Sequence, residues 1–323
     1  MQKPLFWFID EEWTEYDLET AVLREQYPDC ELKFSTYDYE KDLAEFGYRA
    51  DAIIGQVYAH IPASTINRLE RCKGIALLGG GYDRVDTAAA RAKHIGVTNV
   101  QGYCAEDLAD YVLAAIFHFY KGLSGFHANL ANGKWGAQAI STPPHRISSS
   151  TLLIVGCGTI GITTAKRCQS LGMRVIGYDP KQSDAAFTNN HMERVTLEEG
   201  LRQADYVSVH VRLDADTTGL LGAKEFAQMK PTAYLINTAR GAILKEDELI
   251  QALEQGVIAG AAVDVIQHEP PREHEPIFHA PNCIVTPHVS YISQESFEEL
   301  RTRAAWNAIK MLRGEQPSDL VNG

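Results

Sequence analysis

Three polar residues stand where short apolar runs stop. Arg240 follows "AYLINTA", Glu269 follows "GAAVDVIQH" and His288 follows "CIVTP". Arginine is rarely fully buried unless an anion pairs with it. A guanidinium at the end of a buried strand is therefore held by a protein carboxylate or set to meet one that comes and goes. Its planar fork can clamp a carboxylate and polarise a neighbouring carbonyl as that oxygen gains charge. Histidine is the side chain whose unperturbed pKa suits proton exchange near pH 7, which makes His288 the acid–base candidate. Glu269 beside it would orient the ring and stabilise its protonated form. Anchor, acid–base group and orienter are the protein parts that hydride transfer to a 2-oxo acid needs once a redox cofactor is bound. Each residue alone has a plainer reading, as a structural ion pair or part of a solvated loop. The case rests on all three recurring at successive strand ends, where open α/β sheets bind their ligands.

The cofactor signal is "TLLIVGCGTIGITTAKRCQSLGMRVIGYD", with Gly156, Gly158 and Gly161 between an apolar strand and a helical pattern. A second strand then ends in Asp179, close to the ~20-residue spacing expected of a dinucleotide fingerprint. Gly156 permits the tight turn, Gly158 lets the backbone approach a pyrophosphate, and Gly161 lets helix and strand pack closely. Thr159 and Ile160 supply helix N-terminal amides to the phosphates. Asp179 would accept the ribose hydroxyls and repel an additional phosphate, so NAD is expected rather than NADP.

Composition narrows the alternatives. The chain has 323 residues, 45% hydrophobic and 22% charged, an ordinary globular balance that suggests two domains of ~150 residues each. The net charge of −12 and the absence of any Lys/Arg run argue against nucleic acid as a partner. Cys30, Cys72, Cys104, Cys157, Cys168 and Cys283 form no CxxC pair and read as buried free thiols of a reducing compartment. The N-terminal apolar stretch is too short for a signal peptide, and no run approaches the ~20 residues of a membrane helix. A cytoplasmic protein with no membrane partner is expected. His268, His274 and His279 mimic a metal cluster, but they lie in a proline-rich run with no regular placement for ligands, so no metal is expected.

The elements that must position these residues alternate. "LFWFI" (5–9), "AIIG" (52–55) and "GIALLG" (74–79) read as strands of a first unit, with helices at 64–71 and 86–94. A helical pattern at 105–121 follows and is expected to bridge the units. A polar connection spans 132–150. A second unit carries strands at 151–156, 174–179, 206–211, 233–238, 260–265 and 283–287. Residues 245–256 form its clearest helix, with Gly256 as the stop. The closing helix at 293–313 is expected to return to the first unit, because the second sheet is already complete. This is βαβ punctuation and predicts mostly parallel sheets.

The stretches "GGGYDRVD", "VGCGTIG", "INTARGAILKEDELIQAL", "AAVDVIQHEP" and "VTPHVS" together resemble the D-isomer-specific 2-hydroxyacid dehydrogenases, from about residue 50 to 313. The resemblance implies an α/β fold. A doubly wound parallel, Rossmann-type NAD-binding domain (101–289) accompanies a smaller discontinuous, flavodoxin-like substrate domain (1–100 and 290–323). It implies catalytic roles for Arg240, Glu269 and His288. The amides of Gly80 and Gly81 would bind the substrate carboxylate opposite Arg240, with Tyr58 and Tyr291 as further substrate contacts. Asp264 matches a residue that holds the nicotinamide carboxamide, and His210, Val211 and Thr238 match positions lining the cofactor. The resemblance also implies a homodimer, with the long helix and the 124–145 arm at the interface.

The chain departs from the family pattern at "SSST" (148–151), where relatives often have Gly-Lys. Arg212 stands where they often carry proline, and Asp110 where many have Glu. Asp110 and Tyr291 lean toward the subgroup that includes the C-terminal-binding-protein corepressors. Formate dehydrogenases usually carry Gln at the position of Glu269. A phosphoglycerate dehydrogenase would need cations near its phosphate, and "QVYAHIP" (56–62) offers Tyr58 and His60 but no Lys or Arg. The expected substrate is a small uncharged-tail 2-oxo acid such as glyoxylate, hydroxypyruvate or pyruvate, or a larger aliphatic analogue. The alternatives are a 3-phosphoglycerate dehydrogenase and an NAD(H)-binding scaffold with vestigial activity.

Overall fold

The computed structural model describes residues 3–140 and 143–323. Residues 141–142, inside the expected 132–150 connection and the 124–145 arm, lie outside the described residues. The chain forms two compact units, Met1–Tyr103 with Ser293–Gly323, and Cys104–Ile292.

The first unit holds a parallel sheet of β1 (Leu5–Ile9), β2 (Glu31–Ser35), β3 (Ala52–Gln56), β4 (Gly74–Leu78) and β5 (Gly96–Thr98), in the order β2-β1-β3-β4-β5. That is the flavodoxin-like order. Every residue of β1, β3 and β4 is buried, as expected of parallel strands covered on both faces. Each fully buried Leu or Ile there is worth roughly 1.5–3 kcal/mol of burial. Trp7 is fully buried and donates its indole N–H to Ser35 Oγ at 2.8 Å, so its polar atom is satisfied inside the core. The closing helix Gln294–Leu312 packs on β3, β4 and the helix Asp17–Gln26. It thus returns to the first unit. Its first turn is capped reciprocally by Ser293 and Ser296.

The second unit holds β6 (Thr151–Val155), β7 (Arg174–Tyr178), β8 (Glu193–Arg194), β9 (Tyr206–Val209), β10 (Tyr234–Asn237), β11 (Gly260–Val263) and β12 (Cys283–Val285). Their order, β12-β11-β10-β9-β6-β7-β8, reverses direction beside β6. This is the doubly wound order with its switch point at the glycine loop. The helix Ala105–Lys121, read from sequence as a bridge, packs inside this unit against the helix Thr159–Ser170. Several strands stop one or two residues earlier than their apolar runs suggest. Thr238, His210 and Asp264 therefore lie just past the ladder, in the loops of the carboxyl edge.

All six cysteines carry free thiols. Cys72, Cys104, Cys157 and Cys168 are buried, but Cys30 and Cys283 are half-buried. Cys30 sits in the turn before edge strand β2, and Cys283 opens edge strand β12, so neither is fully covered. Among the described residues no helix is long and apolar enough to cross a membrane.

Candidate active site

Arg240 sits in a turn shaped by its neighbours. Asn237, fully buried at the end of β10, accepts the Ala239 N–H at 3.0 Å and donates to the Arg240 carbonyl at 2.9 Å. Its side chain thus replaces the sheet ladder where the strand stops. Gly241 follows for a steric reason. A Cβ there would lie 2.0 Å from the Ile266 carbonyl oxygen, so only glycine lets this turn press against the segment that leads to Glu269. The Arg240 guanidinium donates to the Ala239 carbonyl at 2.8 Å.

Glu269 is brought back toward the strand ends by its own loop. One carboxylate oxygen accepts the Ile266 N–H at 3.1 Å, and the other lies 3.3 Å from His288 Nδ1. The pair is largely shielded, with 16% of the His288 side chain and 11% of the Glu269 side chain exposed. Burial alone would raise the Glu269 pKa. The His288 hydrogen bond and charge, the Ile266 amide and the Arg240 guanidinium outweigh it and hold the carboxyl below its ordinary value. Arg240 and His288 thus both act on Glu269, from the ends of β10 and β12. The surrounding loop is anchored as well. Glu246 accepts the Gln267 N–H, and buried Glu275 accepts the Arg272 N–H and contacts His268.

His288 adopts a left-handed backbone with φ +54°, uncommon for a non-glycine residue and costing on the order of 1–3 kcal/mol. Asp264 enforces it. The Asp264 carbonyl accepts the His288 N–H at 2.8 Å, and its carboxylate accepts the Val289 and Ser290 N–H groups at 3.0 and 2.8 Å. Thr286 Oγ1 also donates to that carboxylate. Asp264 is 1% exposed, and three of its roughly four lone-pair positions are engaged by this turn. The Tyr291 ring stands edge-on to the His288 ring, 6.3 Å between centroids.

The glycine loop fits a dinucleotide. Gly156 has φ +99°, and a Cβ there would lie 2.6 Å from Val211 N and 2.7 Å from the His210 carbonyl carbon. A Cβ on Gly161 would lie 2.1 Å from the Gly156 oxygen, whereas Gly158 faces open space. Two glycines are thus required by the protein's own packing, and the middle one leaves room for a pyrophosphate. Gly158 caps the helix Thr159–Ser170 without any side-chain cap, so the amides at Thr159 and Ile160 face outward from the helix start. Asp179 is fixed at the end of β7 by the Cys157 and Lys181 amides, at 2.9 and 2.8 Å. Among the described residues, two buried polar atoms at the neighbouring strand ends have no partner, His210 Nδ1 and Thr238 Oγ1. Burial depresses the His210 pKa to about 4, so its ring is neutral, with Nε2 bonded to Ser208 Oγ at 2.8 Å. An outward cradle, a fixed carboxylate and unsatisfied polar atoms on one sheet edge are what a bound NAD would complete.

The remaining candidates belong to the first unit. Tyr58 follows β3, and Gly80 and Gly81 follow β4. Gly79 has φ +152° and packs on Val57, Gly80 opens to free space, and the Gly80 carbonyl accepts from Asn99. Sequence reasoning missed Arg84 here. Its guanidinium lies over the Tyr58 ring at 5.6 Å and donates to the Tyr58 carbonyl at 3.2 Å. Scanning "QVYAHIP" alone could not reveal a cation that arrives from "GGGYDRVD". Asn237 was also missed, though a polar residue closing the buried run "YLIN" was its signal.

Residues 113–290 match the family model described as D-isomer specific 2-hydroxyacid dehydrogenase, NAD binding domain. The chain is 32% identical to a glycerate dehydrogenase of Methylorubrum extorquens, over 97% of this chain and 98% of that enzyme. It is 33% identical to a glyoxylate reductase of Thermococcus litoralis, over 84% of this chain and 83% of that enzyme. The crystal structure of an Aquifex aeolicus D-lactate dehydrogenase, complexed with NAD and lactic acid, superposes with a TM-score of 0.87 at 23% identity. The match covers 98% of this chain and 99% of that one. Model, relatives and fold agree: this chain belongs to the D-isomer specific 2-hydroxyacid dehydrogenases and is an NAD-dependent oxidoreductase.

Proposed function

We propose that the protein interconverts a small, uncharged-tail 2-oxo acid and the D-2-hydroxy acid, with the second unit as NAD-binding domain and the first as substrate domain. NAD(H), when bound, supplies or accepts the hydride. Arg240 holds the substrate carboxylate and polarises the carbonyl, joined by the Gly80 and Gly81 amides, with Tyr58 and Tyr291 flanking the substrate. His288 exchanges the proton with the substrate oxygen. Because Nδ1 faces Glu269, Nε2 is the nitrogen that acts. Glu269 orients the ring and stabilises its charged form. The open lone pair of Asp264 accepts the nicotinamide carboxamide, while Asp179, Thr238, His210 and Val211 line the rest of the cofactor. The observation that carries the reading is the convergence of Arg240 and His288 on Glu269, in the unit that holds the glycine cradle. The glycerate and glyoxylate activities of the relatives favour a two- or three-carbon acid.

The test is NADH consumption against a panel of glyoxylate, hydroxypyruvate, pyruvate and longer 2-oxo acids, with NADPH in parallel. Turnover with NADH on at least one is expected. Silence across the panel with NADH binding intact would contradict the reading. A second reading, an acid with an anionic tail such as 3-phosphohydroxypyruvate, is favoured by Arg84 beside Tyr58, so that acid belongs in the panel.

The exposed apolar residues Leu130, Trp135 and Ile140 of the arm, with Trp135 79% exposed, support a homodimer in which a second copy covers them. Light scattering on the purified protein tests this, and a monomer at micromolar concentration would contradict it. The free thiols support a cytoplasmic location.

A further inference from the structure

The His288 turn is braced from behind, through Asp264, by two side chains to which the reaction assigns no role, Tyr111 and Thr286. Tyr111, on the helix Ala105–Lys121, places its hydroxyl 2.6 Å from Thr286 Oγ1, and Thr286 Oγ1 lies 2.5 Å from Asp264 Oδ1. The proton order of this chain is fixed. Both Asp264 oxygens accept backbone N–H groups, so the Thr286 hydroxyl donates to Asp264. Having one proton, Thr286 then accepts from Tyr111. Burial pushes the Tyr111 hydroxyl up to about 12, so it keeps the proton it must donate. The far end of the chain is the left-handed His288, bracketed by the carbonyl and the carboxylate of Asp264.

We propose that Tyr111 is a positioning residue: acting through Thr286 and Asp264, it locks the turn that aims the His288 ring. The proposal rests on the acid–base reading of His288. It explains why a tyrosine hydroxyl points into the partly buried flank of a helix whose other inward residues are apolar, Leu108, Val112, Ala115 and Ile116 among them. A helix that packs on the sheet is a stiff support, and one hydrogen-bonded tether from it removes the freedom of a strained loop. Small errors of placement at a reacting group are costly in rate.

The test compares Tyr111→Phe, which keeps the ring and its packing, with Thr286→Val and Thr286→Ser. Tyr111→Phe and Thr286→Val should lower kcat about tenfold, with KM for the 2-oxo acid within about twofold, as expected for a displaced acid–base group. Thr286→Ser should restore kcat. In parallel, the His288 ring resonance, assigned by its loss in His288→Gln, should be single in the wild type and in Thr286→Ser. It should shift or broaden in Tyr111→Phe and Thr286→Val. If the wild type lacks turnover, the functional reading fails, yet the ring resonance still tests the brace. A lowered melting temperature with unchanged kcat and unchanged ring resonance would overturn the proposal, leaving Tyr111 a packing contact only.

Discussion

Two arginines of this chain meet acidic residues in different ways. Arg301 lies in the closing helix of the first unit, with 6% of its side chain exposed, and Glu19 beside it is fully buried. Its Nε and Nη2 bind the two Glu19 oxygens at 2.9 and 2.6 Å, and Nη2 also binds Asp17 and the Glu15 carbonyl. The rings of Trp13 and Phe297 pack on it at 5.3 and 5.2 Å. Arg240 lies instead in a strand-end turn that Asn237 and Gly241 force into shape. It donates to the neighbouring carbonyl, and its charge is felt by Glu269 together with that of His288. The first arginine is placed by helix packing against fixed carboxylates and is part of the fold. The second is placed by backbone geometry in the loops where parallel sheets receive ligands. Burial and pairing alone do not distinguish a structural ion pair from a candidate site; the kind of element that holds the group does.

This contrast can be broken in order of expected size. His288→Ala should lower kcat by ~10²–10⁴-fold, the usual worth of a positioned acid–base group, with little change in melting temperature. Steady-state kinetics and thermal denaturation check both halves. Arg301→Ala should do the reverse. Leaving Glu19 buried without its partner should destabilise the first unit by about 3–5 kcal/mol, seen in denaturant unfolding, while kcat at low temperature stays near wild type. Glu269→Gln falls between. Because the folded Glu269 pKa is lowered, its stabilising contribution is complete above the unfolded value and is lost as pH falls through the folded one. The variant should lose turnover across the neutral range because His288 loses the carboxylate that orients its ring, and by the linkage above its stability should fall less steeply on acidification. A stability–pH curve that matches wild type would sink that assignment. The smallest effect is expected of Arg84→Gln. Turnover on glyoxylate should hold, and any turnover on 3-phosphohydroxypyruvate should fall by about an order of magnitude, the loss expected when a charge-assisted hydrogen bond is removed.

The sequence was most legible where strands are central and buried. The run Leu5–Ile9 is fully apolar and forms a strand over those same residues. Glu31–Ser35 and Glu193–Arg194 went unread because they lie at sheet edges, where one side faces solvent and polar residues are tolerated. Arg240, Glu269 and His288 stood out because each closes or follows an apolar run. Their supports did not. Asn237 shapes its own turn through bonds to Ala239 and Arg240, whereas Thr286 and Tyr111 act through hydrogen bonds between segments distant in sequence, 175 positions apart for Tyr111 and Thr286. Arg84 was hidden for the same reason, since it reaches Tyr58 from a different loop. Periodicity records which face of an element is buried, but not which side chains meet across loops.

The most direct measurement is kcat/KM of Arg240→Ala, on the 2-oxo acid that the wild type turns over best, with the melting temperature recorded on the same preparation. The account predicts a loss of about a hundredfold or more, as for the removal of a charge-assisted anchor from a desolvated site, with the melting temperature essentially unchanged. A melting temperature lowered as far as in Arg301→Ala, with turnover retained by the folded fraction, would show Arg240 to be a second structural arginine and contradict the account.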